Sequence, residues 1–519
     1  MHVDLIETLS DFRGLEDNWR AVYESDSEAN YFLSWDWIAR TLDRLGEDWR
    51  ILAVRPDIPN AEYIAFLPLR TTTYVSKRHQ VLCNELVMPG FVLWADYSGL
   101  ICVPDYDSTA IPSLARAIQQ QDWAQLELKQ IRMSEQRLQL FLEPFKDAAF
   151  VIEDRPRGRN EDGVDNDICP YVDLPDDFDQ YLTEKLSSNK RHKLRRFLRM
   201  VERSSELRVT ESLPATHERD VEILVGFWRQ MWAEKKGDRI DSLARKFKEI
   251  LLAAAQAGDL YLPMLWNGET PVAALGTYVD RNKNAMFVKA TGRDQNWKLP
   301  PPGLVLHGHS IRWAIQHGIK TYDFMRGDED YKYYYGATDV RIKNLLVRTS
   351  SRLNLHRRLD PLSIAEVYDR GKMLQDEEQW EKATSSYRQV LEVRPEHVGA
   401  MRGLAEILFR HQRFDAAIQV AGKLVQADAD TGASWRLYGN ALLCRKLFGE
   451  AETAFRRAIE IEPTMTDHFC LGCALQQQAR NSEAVEQLQK VLQFNASQPS
   501  EVKIQSNAKR LLAAFTKSE

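Results

Sequence analysis

The last third of the chain repeats small, aromatic and proline residues with a period of about 34 residues. Four units follow one another from Ile364, the second more divergent and the fourth shortened by one residue. The matching positions are Gly371, Ala383, Tyr387 and Pro395, then Ala405, Phe414 and Ala417, then Trp435, Gly439, Ala451, Phe455, Ala458 and Pro463, and finally Gly472 and Ala484. Small residues let two helices pack closely, and proline ends a unit. This period predicts a solenoid of stacked helix pairs, for which about three units suffice.

The repeat resembles the tetratricopeptide family. The resemblance implies an all-α superhelix over residues 364–519, closed by a capping helix from about Ala508 to Phe515. It also implies a concave face that binds a protein partner. A polar connector, residues 348–361, separates this predicted domain from everything before it.

A second constraint lies upstream, in the run Pro300-Pro301-Pro302-Gly303 and the apolar helix pattern that follows it. Consecutive prolines end the preceding structure and leave backbone N–H groups free where the helix begins. Such a helix start favours an anion, for example a phosphate or pyrophosphate. We therefore take Pro302, Gly303 and Leu304 as candidate cofactor-binding residues. The alternative is an ordinary helix start without a ligand.

The strand predicted after this helix, around Tyr322 and Phe324, runs into a loop dense in ionisable groups. The carboxyl ends of strands are where open α/β sheets bind ligands. A carboxylate there could accept a proton, and a lysine or tyrosine could stabilise developing negative charge. The alternative is a solvated turn, which the neighbouring tyrosines disfavour because they are too apolar. The candidate catalytic residues are Lys332, Asp328, Glu329, Tyr331 and Asp323.

The stretch Tyr322-Asp-Phe-Met-Arg-Gly-Asp-Glu-Asp-Tyr-Lys-Tyr-Tyr-Tyr-Gly336 resembles the end of the acyltransferase domain in CelD-like proteins of the GNAT superfamily. It is also similar to the Phe-Lys-x-x-Phe-Gly signature of Fem-type peptidoglycan aminoacyltransferases, with tyrosines in place of both phenylalanines. That similarity implies that Lys332 contacts substrate phosphates, and it aligns Asp323 and Gly336 with motif residues. The run from Arg326 through Gly327 to Glu329 follows the CelD-like pattern. This favours acyl-CoA over aminoacyl-tRNA as donor and adds Arg326 and Gly327 to the cofactor-binding candidates.

The region before residue 355 contains the same order of predicted elements twice. Each half has a hairpin, a helix and a strand, at 50–69, 109–120 and 123–128 in the first and at 259–279, 303–317 and 320–325 in the second. This order matches the tandem GNAT-like architecture of Fem-type enzymes. We expect an α/β (α+β) fold with one half at 1–160 and another at 161–355, followed by the tetratricopeptide superhelix. The second half would hold the donor site and the first would shape the acceptor cleft.

One strongly basic helix is predicted between Lys185 and Arg203. Its apolar positions share one face, so its cationic side chains project from the other. CelD-like proteins carry a comparable helix at this point. We take Lys190, Arg191 and Arg195 as candidate substrate-binding residues for the phosphates of a donor, a nucleotide-sugar or a lipid-linked precursor. The alternative is a solvated basic surface.

Composition excludes several other classes of protein. With 69 Lys and Arg against 75 Asp and Glu, the formal charge is −6, which does not indicate a basic nucleic-acid binder. No transmembrane run and no signal peptide are recognisable. The six cysteines indicate reduced thiols, and the single Cys-x-x-Cys pair at Cys470 and Cys473 lies in a helical pattern, so we predict no metal. We expect a cytoplasmic location, with peripheral attachment at the inner membrane as an alternative.

Together these features predict an N- or O-acyltransferase. It would move an acyl group, from acyl-CoA as a co-substrate and not a permanently bound cofactor, to an amine or hydroxyl of an exopolysaccharide or cell-envelope precursor. One alternative is a Fem-type transferase that uses aminoacyl-tRNA, the only case with a nucleic-acid partner. Another is a non-catalytic tetratricopeptide scaffold. No G-x-S-x-G elbow or Walker-type loop indicates another enzyme class.

Overall fold

The computed structural model describes residues 1–515. The chain divides into two compact units. The first is an α/β unit made of Met1–Thr72, Glu85–Gln121 and Gln125–Ser351. The second is a helical unit that runs from Arg352 onward and includes two short upstream segments, Thr73–Asn84 and Asp122–Ala124.

The first sheet of the α/β unit contains strands from both ends of that unit. Its strand order is β1-β2-β3-β4-β6-β16-β7, with β5 paired to β3. The strands are β1 (His2–Ile6), β2 (Trp49–Arg55), β3 (Ala65–Val75), β4 (Leu82–Val87), β5 (Ile101–Cys102), β6 (Gln125–Ile131), β7 (Phe150–Asp154) and β16 (Lys343–Thr349). Its helices are α1 (Leu9–Arg13), α2 (Glu16–Ser25), α3 (Trp35–Leu42), α4 (Asp107–Ile118) and α5 (Glu135–Leu142).

The second sheet has the order β9-β11-β12-β13-β14-β8-β15, with β10 paired to β12. The strands are β8 (Ile168–Asp173), β9 (Leu207–Glu211), β10 (Leu260–Tyr261), β11 (Pro263–Asn267), β12 (Thr270–Asp280), β13 (Ala285–Arg293), β14 (Thr321–Asp323) and β15 (Thr338–Arg341). Its helices are α6 (Phe178–Glu184), α7 (Ser188–Glu202), α8 (His217–Lys236), α9 (Ile240–Gln256) and α10 (Pro302–Gln316).

The two sheets repeat one topology, and the second half contributes a strand to the first sheet. Each has a parallel pair joined by a crossover helix, β4 with β6 through α4 and β13 with β14 through α10. Beside that pair, β16 from the end of the second half pairs with β6 in the first sheet, and β8 pairs with β14 in the second. The predicted α/β fold with a repeated unit is confirmed, and β16 links the two halves within one compact unit.

An aromatic core joins the two halves of the α/β unit. Tyr31 stacks on Tyr278 of β12 with ring centroids 5.0 Å apart, and its hydroxyl donates to Asp259 at 3.0 Å. Tyr23 donates a hydrogen bond to Asp280. Buried aromatic rings of this size dominate the energetics of such a core, so these contacts hold the first half against the second sheet.

The helical unit is a series of antiparallel helix pairs. Its helices are α11 (Ile364–Asp376), α12 (Trp380–Val393), α13 (Val398–Arg410), α14 (Phe414–Ala427), α15 (Gly432–Cys444), α16 (Phe448–Ile461), α17 (Met465–Gln477), α18 (Asn481–Val491) and α19 (Pro499–Phe515). The predicted tetratricopeptide superhelix is confirmed, and its last helix begins at Pro499 rather than near Ala508. Every helix in the described part of the chain is too short or too polar to span a bilayer.

Candidate active site

An open cleft lies at the start of α10, where three layers of the second half meet. Its volume is about 460 Å³. One wall is the helix start, a second is the stretch that follows β14, and the floor is formed by β12 and β13. The lining residues are Lys193, Met231, Ala273, Ala274, Leu275, Thr291, Gly292, Arg293, Pro301, Pro302, Gly303, Leu304, Leu306, His307, Tyr331, Tyr334 and Tyr335.

The cleft forms where β13 extends beyond the end of its parallel partner, β14. Pairing between β13 and β14 ends where Phe287 lies opposite Asp323, whereas β13 continues to Arg293. Beyond Phe287 the strand has no neighbour on that side from β14, so a gap opens in the sheet. Thr291 and Gly292 at the far end of β13 line the cleft.

The start of α10 presents free amide donors to this cleft. Pro302 is the first helical residue and carries no N–H, and among the described residues no side chain caps the helix. The first intrahelical bond runs from the N–H of Val305 to the carbonyl of Pro301 at 3.2 Å. The N–H groups of Gly303 and Leu304 therefore lack intrahelical partners. Together with the helix dipole they favour a negatively charged group at this position.

Lys332 lies beside the cleft and does not line it. Its side chain is 3% exposed, and its Nζ atom donates to three backbone carbonyls, those of Met325 at 3.2 Å, Arg326 at 2.8 Å and Gly327 at 2.9 Å. It also forms an ion pair with Glu329 at 2.9 Å. Lys332 thereby holds the loop that follows β14 in shape, and its neighbours Tyr331, Tyr334 and Tyr335 form the cleft wall.

The three candidate carboxylates differ in the hydrogen bonds and ion pairs that the protein already makes to them. Asp323 is buried, accepts hydrogen bonds from Tyr97 at 2.8 Å and from the N–H of Met325 at 2.7 Å, and pairs with Arg132. Asp328 accepts from the N–H of Asp165 at 2.7 Å and pairs with Arg159. The side chain of Glu329 is 40% exposed, although its Oε2 atom is buried beside Lys332. Of the three, Glu329 has the most exposed side chain.

Arg326 and Gly327 turn away from the cleft. The Nε atom of Arg326 donates to Asp96 at 2.8 Å on the side of the first half. Gly327 has a φ of 104° and donates its N–H to the carbonyl of Ile168 at 2.8 Å. Only glycine adopts this φ without strain, so Gly327 supplies the turn that brings Tyr331 back to the cleft.

The basic helix is α7, and it reaches the cleft through a residue outside the candidate set. Lys190 donates to the carbonyl of Tyr333 at 3.0 Å, and Arg195 pairs with Asp179. Arg191 is half-buried and does not line the cleft, whereas Lys193 lines it, close to the ring of Tyr334. Lys193 and Arg293 are the two cations of the lining. The basic run correctly indicates the helix, but helical spacing alone does not select Lys193.

His307, on the second turn of α10, faces the cleft and was not among the candidates. It is 2% exposed, and its Nδ1 atom lies 3.0 Å from the hydroxyl of Tyr322. Burial, and then the positive charge of Lys332, lower the pKa of His307 to about 3. The imidazole is therefore neutral at physiological pH. The only feature of the sequence that indicates His307 as a cleft residue is its position one turn beyond the free amides.

Within residues 1–515, no cluster of histidine, cysteine and acidic side chains has the geometry to hold a metal ion. The thiols of Cys470 and Cys473 lie on α17 of the helical unit, half-buried. Burial raises the pKa of both thiols, to about 12 and about 11. Thiols that stay protonated are poor metal ligands.

Two family models match the chain. Residues 188–333 match the acetyltransferase (GNAT) domain, and residues 368–434 and 412–465 match the tetratricopeptide repeat. The first match begins at α7 and ends at Tyr333, so it contains the cleft lining except for Tyr334 and Tyr335. The predicted GNAT and tetratricopeptide assignments are thus confirmed, and the chain carries an acyltransferase-type domain followed by repeats that typically bind proteins.

The solved structures that match this chain include FemX, which is 12% identical, covers 67% of this chain and 97% of its own, and has a TM-score of 0.46. A MamA fragment from Desulfovibrio magneticus RS-1 is 22% identical, covers 26% of this chain and 77% of its own, and has a TM-score of 0.25. Another MamA structure is 19% identical over 30% of this chain and 87% of its own, with a TM-score of 0.27. No curated protein matches the sequence.

Proposed function

We propose that this chain, which carries a GNAT-type acetyltransferase domain followed by tetratricopeptide repeats, transfers an acyl group from acyl-CoA to an amine or hydroxyl. The acceptor would be an exopolysaccharide or cell-envelope precursor, as the CelD-like sequence pattern implies. The observation that carries the proposal is the cleft itself, because free amides at the start of α10 and an adjoining gap in the sheet lie inside the matched region.

The donor would lie along the cleft with its phosphates at the helix start. The N–H groups of Gly303 and Leu304 would bind the pyrophosphate, and Lys193 and Arg293 would add positive charge at the rim. The pantetheine arm would follow the end of β13 over apolar lining residues such as Leu275 and Leu306. This path ends at the gap between β13 and β14, so the thioester would lie near His307 and Tyr331.

The reaction would be a direct transfer at the thioester carbonyl. The acceptor's nitrogen or oxygen attacks that carbon, the C–S bond breaks, and the CoA thiolate leaves while the acceptor loses a proton. We assign the proton donor for the thiolate to the hydroxyl of Tyr331, because Tyr331 is the one candidate catalytic residue that lines the cleft. Glu329, the most exposed of the candidate carboxylates, would accept the acceptor's proton directly or through water.

Lys332 and Asp323 would support this chemistry indirectly. Both side chains are buried and already bonded to protein groups, so they would hold the loop and the end of β14 in place. The repeats would bind a protein partner on their concave face. Because acyl-CoA is a cytoplasmic metabolite, the proposed reaction runs in the cytoplasm, with peripheral contact at the inner membrane where the acceptor is lipid-linked.

A thermal-shift screen of the full chain tests the donor. We expect CoA and acetyl-CoA to raise the melting temperature, because a ligand that binds only the folded state stabilises it by mass action. Stabilisation by aminoacyl-tRNA, and not by CoA, would identify aminoacyl-tRNA as the donor. Stabilisation by none of these ligands would favour a non-catalytic scaffold. Mass spectrometry of metabolites that co-purify with the protein would then search for the acceptor.

A further inference from the structure

Three cationic side chains meet on the face of the second sheet that lies away from α10. Lys289 of β13 donates from Nζ to Asp96 at 2.6 Å, and Arg326 donates from Nε to the other oxygen of Asp96 at 2.8 Å. Asp96 belongs to the first half of the α/β unit, so this carboxylate bridges the gap between β13 and the loop after β14. We call Lys289, Arg326 and Arg157, with Asp96 and Gln130, the inter-sheet basic cluster.

The third cation, Arg157, has no carboxylate of its own. Its guanidinium lies 3.2 Å from the side-chain oxygen of Gln130, in the amide orientation that satisfies Gln130, and Arg326 donates to that same oxygen. Gln130 is 1% exposed, and its amide nitrogen then donates to the carbonyl of Ala95 at 3.1 Å. Across the described residues, no acidic side chain lies within ion-pair distance of Arg157. Two guanidinium groups thus converge on one neutral oxygen.

The cluster carries more positive than negative charge. Burial would raise the pKa of Asp96, but Lys289 and Arg326 lower it to about 2, so Asp96 is ionised and still faces three cations. The nearby carboxylate of Asp167 accepts hydrogen bonds from the backbone N–H of Arg157 at 2.8 Å and from Asn344 at 2.7 Å. Uncompensated charge in a partly buried place is costly unless a counter-charge joins it. Arg157 is itself exposed, so a ligand can supply that charge.

The cluster lies just across β13 from the proposed donor site. Phe287 packs in the core between the halves and Val288 packs in the core beneath α10, because successive residues of a strand point to opposite faces. The pairing with β12 then skips Lys289, since Thr277 lies opposite Val288 and Gly276 lies opposite Ala290, so Lys289 is the extra residue of a β-bulge. Its side chain bonds to Asp96 of the first half, whereas Thr291, beyond the bulge, lines the cleft.

We propose that the inter-sheet basic cluster is an oxyanion site that holds a phosphate or carboxylate of the acceptor, with Arg157 as its exposed contact. An acceptor anchored there lies on the face of β13 opposite the donor, at the edge of the gap between β13 and β14. The assignment to the acceptor rests on the proposed acyltransferase function; the binding of an oxyanion does not.

Site-resolved arginine labelling of the full chain tests this site. Phenylglyoxal modifies accessible guanidinium groups, and peptide mass mapping measures labelling at Arg157 and Arg326. Labelling is compared in inorganic phosphate, in succinate and in chloride at equal ionic strength. Arg155, exposed in the same segment and paired with Glu153, is the internal reference. At an anion concentration about ten times its dissociation constant, labelling of Arg157 falls about tenfold relative to chloride.

Protection by phosphate alone identifies a phosphate site, protection by succinate alone identifies a carboxylate site, and protection by both identifies a general oxyanion site. Equal labelling at Arg157 in all three salts overturns the proposal. In Arg157→Gln the protection of Arg326 by the anion weakens, whereas in Arg155→Gln that protection persists. Unchanged protection of Arg326 in Arg157→Gln also counts against the proposed site. The CoA thermal shift is measured in parallel: absence of that shift with Arg157 still protected removes only the acyltransferase function.

Discussion

The hydroxyl of Tyr335 donates a hydrogen bond to the carbonyl of Gly303 at 3.3 Å. This bond joins the two parts of the sequence that predict chemistry, the helix start after the proline run and the loop around Lys332. Tyr335 is buried, whereas Gly303 is exposed at the cleft mouth. The two predicted parts therefore form adjoining walls of one cleft. Substitutions in different walls can test donor binding, chemistry and loop structure separately.

The proposed donor site uses the backbone N–H of residue 303 as one of its two helix-start donors. Gly303→Pro removes that N–H while remaining compatible with the first turn of a helix. Gly303→Ala is the matched control, because a Cβ there meets nothing within 4 Å and the N–H stays. A hydrogen bond to a charged group is worth about 1.5–3 kcal/mol, so we expect CoA affinity to fall at least about tenfold in the proline variant only. Calorimetric titration with CoA measures this, and equal affinity in the two variants would place the pyrophosphate elsewhere.

The proposed mechanism assigns the proton donor to the Tyr331 hydroxyl. Tyr331→Phe should leave CoA affinity unchanged and lower turnover of acetyl-CoA by about 10²–10⁴-fold, the usual contribution of a positioned proton donor. Tyr333→Phe is the control, since the Tyr333 hydroxyl donates to Asp339 at 2.8 Å and does not line the cleft. Release of free CoA, followed with a thiol reagent, gives the rate. Retention of the wild-type rate in Tyr331→Phe would exclude this hydroxyl as the acid.

The sequence predicts the elements of this site well and the side-chain directions poorly. The proline run and the glycine that follows it locate the start of α10 at Pro302, because the constraints that these residues place on the backbone are local. The position of β16, which joins the first sheet beside β6, is not predictable, since alternation describes a strand's faces and not its neighbours. Likewise, a lysine in a motif does not reveal that its Nζ atom turns onto three carbonyls. Lys193 and His307 reach the cleft through packing of α7 and α10 that no spacing specifies.

The contacts of Lys332 predict a cost in stability as well as in activity. Lys332→Met keeps the length of the stem and removes the donor, leaving the carbonyls of Met325, Arg326 and Gly327 short of a partner. Buried unsatisfied groups cost about 1–3 kcal/mol each, so we expect a loss of about 3 kcal/mol in the free energy of unfolding. Lys146→Met, at an exposed ion pair with Glu143, should cost about 0–1 kcal/mol. Urea unfolding checks both, and equal stability of the two variants would contradict this role.

The lowered pKa of His307 predicts how stability changes with acid. Its folded pKa is about 3 against an ordinary value of 6.5, so between these pH values the unfolded chain binds a proton that the folded chain does not. The free energy of unfolding therefore falls as pH falls, by about 2 kcal/mol at pH 5 from this group. His307→Gln should lose less stability than the wild type between pH 7 and pH 5, whereas the exposed His192→Gln should follow the wild type. Parallel urea titrations at the two pH values measure the difference, and identical acid sensitivity of all three proteins would refute it.

Tyr387 of α12 packs between Gly371 of the first repeat and Gly403 of the second, and this predicts which small residues the superhelix requires. A Cβ at Gly403 would lie 2.5 Å from ring atoms of Tyr387, and one at Gly371 would lie 2.8 Å from the other edge of the ring. The ring is 1% exposed and its hydroxyl is bonded to Gln375 at 2.8 Å, so it cannot move aside cheaply. Overpacking of this kind costs about 1–3 kcal/mol, which we expect for Gly403→Ala.

Gly449, in the third repeat, provides the contrast for that substitution. It lies in the first turn of α16, and a Cβ there meets nothing within 4 Å. Gly449→Ala should leave the helical unit unchanged or stabilise it by about 0.4–1 kcal/mol, because alanine restricts the unfolded chain. Chemical unfolding followed by far-ultraviolet circular dichroism compares the two variants. If packing against Tyr387 is close, Gly403→Ala unfolds at a lower denaturant concentration than the wild type. Gly449→Ala then unfolds at the same concentration or a higher one. The reverse order would show that contact with this ring does not select the repeat's glycines.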